Sequence, residues 1–275
     1  GGTRKYGEVE KTWSNSANYA IVSDIELDEE SEWKPLCPED SFTGTLNGNF
    51  HTISNFKMTK QGRYAGLFAM IGELAEVHSI TFKNPVINGR YDFAGIVSAM
   101  NKASKISMIT VKNASIKVAP FDTNFPKAEQ STCFVGGIVG AIMGSYTGMD
   151  ESTVLYDNAT IETCTFQGTI ATADNVYEVV GLNKYTIFNF GGITGFNKGA
   201  TIFNNKADVK FSVNASVATL ANGYNRISSG ENGVCFDLGG IVGAVGNSNI
   251  FDPNDKTTQI GTIYPIVKNN LALVQ

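Results

Sequence analysis

Two histidines are all that this chain of 275 residues contains, and they lie far apart, at His51 and His78. Both fall in stretches patterned like strands and neither is followed by glutamate, so the H-E-x-x-H helix of a zinc peptidase is excluded. The four cysteines, Cys37, Cys133, Cys164 and Cys235, follow no C-x-x-C spacing, and with two histidines they complete no familiar zinc set. Arginine is equally scarce, at Arg4, Arg63, Arg90 and Arg226. Charged residues make up 17% against roughly 25% in an average globular protein, and the net charge is -5. No basic run interleaves with aromatics, which argues against a nucleic-acid partner. The longest apolar stretch, Phe134 to Gly144, is far short of the roughly 20 residues that cross a bilayer, so no transmembrane segment is expected. Nor does any stretch longer than about ten residues keep an i, i+3, i+4, i+7 apolar stripe, which excludes long helices.

Glycine, by contrast, is abundant, and it recurs in one context. AGLFAMI (65–71), AGIVSAM (94–100), GGIVGAI (136–142), GGITGFN (191–197) and GGIVGAV (239–245) are five copies of one motif, the signature of a repeat protein. Aligned on their glycines, the copies place Leu67, Ile96, Ile138, Ile193 and Ile241 in one column and Phe68, Val97, Val139, Thr194 and Val242 in the next. The first column never admits a polar residue and therefore faces a core. Gly66, Gly95, Gly137, Gly192 and Gly240 read as structural corners, where the backbone turns through positive φ or neighbouring backbones approach closely.

After each corner comes a second segment, such as VHSITFKNPVING (77–89) or ISMITVKNASIKV (106–118), in which Ile, Val, Thr or Phe alternates with polar residues. Intervals between the corner glycines are 29, 42, 55 and 48 residues, and the shortest is one coil of a parallel β-helix. The excess in the longer intervals falls mainly just before the corner, at roughly 119–134, 171–189 and 214–237, and insertions at one phase project from one face. The expected fold is all-β: a right-handed parallel β-helix of about six or seven coils with inserted loops on one face. Residues 1–35, with the acidic run DIELDEESEW, are expected to be the entry and cap, and 36–275 the helix itself. Cys133 and Cys235 sit just before two of the corners with one copy between them. A disulfide joining them would have to span two layers of about 4.8 Å, which argues against the pair.

The order of motifs also carries a family resemblance. SFTGTLNGNFHTISNFKM (41–58), followed by YAGLFAMIGELAEVHSITFKNPVING and FAGIVSAM and preceded by NYAIVSDIEL and EWKPL, resembles the GLUG-motif repeats of bacterial surface proteins over about residues 18–250. The resemblance implies a parallel β-helix in an exported or surface-attached, adhesin-like protein. Phe50 stands where the opening motif usually has Gly, and Ala69 and Ser98 replace the final Gly of the first two corner strands, which affects local turns rather than the fold.

No catalytic constellation is legible. GSYTG (144–148) has the wrong spacing for a nucleophile elbow, and the glycine runs lack the helix that a dinucleotide loop needs. Acids on the repeat strands are sparse and out of register, whereas a polysaccharide lyase or hydrolase, the main rival class, needs clustered carboxylates. The acidic DEE run near Glu32 and the DPND turn at 252–255 lack the order of a calcium loop. The expectation is therefore a non-enzymatic module with no cofactor and no metal. It would be extracellular or at the bacterial cell surface, a monomer or part of a larger surface protein. Its partner would be a host glycan or extracellular protein, met through aromatics of the inserts: Phe121 and Phe125, Tyr177 and Tyr185, and Tyr224 with Arg226. A stalk that spaces another domain from the cell wall is the third reading. The start Gly1-Gly2-Thr3, without Met, reads as processed or engineered, and IYPIVKNNLALVQ shows no polar cap. Gln275 is accordingly expected either to close onto the last coil or to mark where a further domain was removed.

Overall fold

A computed structural model describes residues 3–6, 9–28, 30–121, 130–143, 159–173, 185–213, 233–246, 248–251 and 259–275. Among them there is no helix, and hence none long and apolar enough to cross a membrane. Three parallel sheets account for nearly all the strands. Sheet one stacks Tyr64–Ala65, Phe93–Ala94, Gln130–Gly136, Tyr185–Gly191 and Gly233–Gly239. Sheet two stacks Phe68–Ile71, Ser98–Asn101, Val139–Ile142, Thr194–Lys198 and Val242–Gly246. Sheet three is the largest, and one path of seven rungs runs through it from Tyr19–Ala20 to Ile266–Lys268. The chain visits the sheets in the same order each time and lands one strand further along, an arrangement compatible with a β-solenoid. Two antiparallel hairpins stand apart, Thr3–Tyr6 with Val9–Thr12 and Ser248–Phe251 with Gln259–Ile263.

Alternation puts every second residue inside. Val77, Ile106, Ile161 and Ile202 share one register column of sheet three and are fully buried, as are Phe82, Val111 and Phe166 in another. Five rungs of sheet three carry a first kink at a residue with left-handed φ: Ser79, Met108, Thr163, Asn204 and Asn269, at 52° to 59°. The kink aims the next residue inward. That column reads Ile80, Ile109, Cys164, Asn205 and Asn270, so two asparagines replace the aliphatics toward the last rung. The Cys164 amide donates to Asn205 Oδ1 at 2.8 Å, Asn205 Nδ2 donates to the Ile161 carbonyl at 3.0 Å, and the Asn205 amide donates to Asn270 Oδ1 at 2.9 Å. The ladder satisfies backbone groups that the kink removes from the sheet.

The glycine columns need one correction. Strand pairing sets Ala94 opposite Val135 and Ser98 opposite Val139, so Gly95 shares its column with Gly136, not Gly137. Gly66 and Gly95 both move by one position, and Ile96 and Val97 move with Gly95, whereas Phe68 stays in the column of Ser98 and Val139 because the first copy is one residue shorter there. Gly66, Gly95, Gly136, Gly191 and Gly239 form one column, and Gly137, Gly192 and Gly240 follow them. Positive φ is not the reason for these glycines, since Gly199 is the glycine with left-handed φ among the described residues. The reason is space: a Cβ on Gly66 would lie 2.6 Å from the Gly95 carbonyl oxygen, and one on Gly95 would lie 2.5 Å from the Gly140 nitrogen.

The insertion phase is corrected too. Strands begin at Gln130, Tyr185 and Gly233, so the three excesses before sheet one shrink to residues 120–129, 173–184 and 213–232. Further excesses lie between sheets two and three, at 143–159 and between Gly246 and Ile266, the latter containing the second hairpin. Glycine-to-glycine intervals add both phases together, which is why they looked like one. Cys133 is a free, buried thiol, and it pairs with Phe188, whereas Cys235 pairs with Ile187, one position out of register and two rungs away. Gln275 pairs with the preceding rung through its backbone, donating to Val209 at 3.0 Å and accepting from Phe211 at 3.1 Å.

The segment expected to be a cap already contributes a rung, because Tyr19–Ala20 and Ile25–Glu26 pair with Leu46–Asn47 and Ile53–Ser54. Two carboxylates fasten it. Asp24 accepts from the Thr52 amide at 2.9 Å and lies 3.1 Å from His51 Nδ1; Glu32 accepts from the Thr59 amide at 2.7 Å and from its hydroxyl. The Thr52 amide, and then His51, hold the Asp24 carboxyl below its usual value. Burial pushes Glu32 up, but the hydroxyl and amide of Thr59, with Lys57 and Lys60, outweigh it and lower the group. Depressed carboxylates stabilise above the unfolded-state value and lose that contribution as pH falls through the folded one. Hydrogen exchange is therefore expected to show residues 19–33 opening ahead of the rest below about pH 4. An Asp24→Asn/Glu32→Gln variant should show that opening already at pH 7; equal protection of this segment in variant and wild type would rule the clamp out.

Candidate functional site

A second apolar cluster lies apart from the core. Phe93, Ala99 and Ala141 are buried in it, and Tyr64, Phe134, Met143 and Phe196 pack against them. The neighbours of these aromatics along sheet one, Ala65, Ala94 and Val135, belong to the core, so alternation sends Tyr64, Phe93 and Phe134 to the outside. They share one register column, and their rings stack from rung to rung with centroids 5.7 and 5.4 Å apart.

The column then changes character: the next two positions are Asn189 and Asp237. Phe196, from sheet two on the rung of Asn189, takes over and sets its ring 5.2 Å from that of Phe134. Small and large residues alternate to allow this, since Phe134 shares its rung with Ala141, and Asn189 with Phe196. Close approach of the two sheets explains the last glycine of the GGIVG motif. A Cβ on Gly243 would lie 2.8 Å from the backbone nitrogen and oxygen of Phe190, and one on Gly140 would lie 2.8 Å from the Ala94 nitrogen. The outer surface where sheets one and two meet thus carries a row of aromatic rings.

Both ends of the ring ladder are charged. The Arg63 guanidinium lies 5.7 Å from the Tyr64 ring centroid and 5.9 Å from that of Phe93, and its Nε is 4.0 Å from Asp92. At the other end Asp237 is half-buried, and burial raises its carboxyl above the usual value. The rim near Arg63 is tied to the first insert. Asp92 Oδ1 accepts from the Phe121 amide at 3.0 Å, Arg90 Nη2 donates to the Phe121 carbonyl at 2.9 Å, and Arg90 Nε donates to Pro120 at 3.1 Å.

Of the residues expected at a site, Phe121 is therefore placed beside the ring ladder, its backbone held by Asp92 and Arg90. Tyr185 is the first residue of a sheet-one strand, in register with Gln130 and Gly233, rather than part of an insert. Phe125, Tyr177, Tyr224 and Arg226 lie outside the described residues. The ring ladder itself was missed, although its signal is in the sequence: Y-A-G, F-A-G and F-V-G put an aromatic two residues before three successive corner glycines. Among the described residues no three His, Cys, Asp or Glu side chains converge as a metal site.

Comparison with known proteins adds one likeness. Halomucin of Haloquadratum walsbyi is 34% identical over 92 residues, which cover 30% of this chain and 1% of that protein. The likeness is compatible with a cell-surface module. No family model and no solved structure matches the chain.

Proposed function

We propose that this chain is a non-catalytic binding module of a secreted or cell-surface protein, adhesin-like, built as a right-handed parallel β-helix of GLUG-type repeats. It contacts a host glycan or extracellular protein through the row of aromatic rings and the inserts. The observation that carries this reading is the outward ring ladder of Tyr64, Phe93, Phe134 and Phe196. The half-buried rings of Tyr64, Phe134 and Phe196, with buried Phe93 between them, offer an apolar strip to a ligand, and Arg63 and Asp237 supply polar contacts at the ends. The motif resemblance and the halomucin likeness support the extracellular setting.

A glycan and extracellular-matrix array tests it. Wild-type protein should bind a restricted set of ligands, and a Phe134→Ala/Phe196→Ala variant should lose roughly tenfold or more in affinity, as hot-spot aromatics do. Unchanged binding by the folded double variant, with circular dichroism matching wild type, would remove the ring ladder from the reading.

A further inference from the structure

The turn from Gly48 to His51 in sheet three carries a residue that its geometry does not favour. His51 donates its amide to the Gly48 carbonyl at 2.8 Å, and both residues between them have left-handed φ, Asn49 at 48° and Phe50 at 62°. Positive φ at both central positions is the pattern of a type I′ turn, whose second position is ordinarily glycine. Phenylalanine is strained there, because at that φ its Cβ crowds the following carbonyl. Packing does not offset the strain: Phe50 is 74% exposed, and among the described residues no ring stacks on it. The turn is nevertheless firmly held. Phe50 and Gly48 donate their amides to the Ser79 and His78 carbonyls on the next rung, and Asn49 Nδ2 donates to the Ile21 carbonyl on the rung before, each at 2.8 Å. Residues 48–51 separate Asn47 from Thr52, whereas Ser79 and Ile80 alone separate their partners His78 and Thr81. A longer connection thus presents the ring.

The surroundings are polar and short of free charge. Both histidines of the chain stand here on adjacent rungs, and each has its Nδ1 engaged, His51 with Asp24 Oδ1 and His78 with Ser79 Oγ, both at 3.1 Å. That leaves the Nε2 of each ring for an outside partner. Thr52, Thr81 and Thr110 form an outward column across the kink, since their neighbours Ile53, Phe82 and Val111 are buried. Charges stand at the margins and are balanced: Asp24 is held by His51 and the Thr52 amide, Glu76 pairs in register with Lys105, and Lys83 and Lys112 share the column of Glu26.

We infer that this turn is a binding site for a neutral saccharide, with the Phe50 ring as its platform and His51, His78 and Thr81 as its hydrogen-bonding partners. A pyranose has an apolar C–H face edged by hydroxyls, and the turn supplies the matching parts, an open aromatic face beside neutral donors and acceptors. The ring ladder is a different surface, because its rings lie against one another with centroids 5.2 to 5.7 Å apart. The site rests on the extracellular binding reading above and lies on a different sheet from the ladder. A protein partner would call for a broader apolar area, and an acidic polymer for a surplus of cations.

Calorimetry with cellotetraose, mannotetraose, galactomannan and xyloglucan tests the site. Wild type should bind at least one of them, with little effect of added salt. Phe50→Gly should bind it about tenfold more weakly or worse, while melting about 2 to 4 °C higher because the strain is gone. Phe50→Tyr should keep the affinity, His78→Ala should lose severalfold, and Phe134→Ala/Phe196→Ala should bind as wild type does. Loss of binding in that double variant with full binding by Phe50→Gly would overturn this site and leave the ladder as the contact surface. Silence toward all four saccharides would also overturn it, as would Phe50-dependent capture of collagen or fibronectin with no saccharide bound. A Phe50→Gly protein that melts below wild type would show that the ring serves packing, and would overturn it too.

Discussion

Gly137→Ala is expected to cost about 3 kcal/mol or more, enough to unfold a marginal domain or to lower its melting temperature by several degrees. The added methyl would lie within 3.0 Å of both the Gly192 carbonyl oxygen on the next rung and the ring of Phe166, which is fully buried. Backbone stands on one side and a packed aromatic on the other, so neither neighbour gives way without moving a rung or opening the core. Gly62→Ala is the matching control, because no atom comes within 4 Å of a Cβ there. It should change stability by no more than about 0.5 kcal/mol. Chemical denaturation of the two variants side by side checks the argument. A Gly137→Ala protein as stable as wild type would mean that the rungs slide apart far more cheaply than their pairing suggests.

Asn205→Leu is expected to cost about 3 kcal/mol, although it replaces a buried amide with a hydrocarbon of similar size. Asn205 is 1% exposed, and its side chain serves the Cys164 amide and the Ile161 carbonyl on one rung and Asn270 on the next. Leucine leaves those backbone groups buried without partners, at roughly 1 to 3 kcal/mol each. Asn205→Asp keeps the acceptor and loses the donor, and it places a charge in the interior unless the carboxyl takes up a proton. Its stability should therefore improve toward acid while that of Asn205→Leu stays flat. Denaturation midpoints at pH 5 and pH 8 separate the two variants. A leucine variant more stable than wild type would show that hydrophobic burial at this column outweighs the lost bonds.

Much of the architecture could be read from residue order, and the failures have physical causes. Strand character followed from Ile, Val and Thr alternating with polar residues, and repetition from the glycine motif. The one-residue slip at the glycines of the first two copies arises because glycines match by position in the motif, whereas pairing is decided by the strands on either side. The second insertion phase stayed hidden because an interval between glycines measures a whole turn and cannot say where in the turn the surplus sits.

The ring ladder was missed for a related reason. It is assembled from one residue per turn, as with Tyr64, Phe93 and Phe134. Residues so far apart in the chain form no local pattern until the register is known. Phe196 was harder still, since it joins the ladder from a different sheet and answers the loss of an aromatic at Asn189. Aromatics in the inserts are locally conspicuous, and Phe121, which lies among the described residues, stands beside the ring ladder.

The second kink of sheet three leads to a different kind of consequence. Early rungs turn at Asn55, Asn84 and Asn113, all with left-handed φ, while on the following rung the register shifts between Val111 and Ala114, and Gly168 faces Ala114 without an equivalent corner. The turns are accordingly of two gauges, and the change of gauge falls between Asn113 and Gly168. Whole-turn duplication or loss could proceed among turns of one gauge while preserving every column, but an exchange across the boundary would misalign the strands on both sides. Lineages that lengthen or shorten such a protein are thus confined to splicing like with like, and the boundary is a fixed landmark within an otherwise expandable stack.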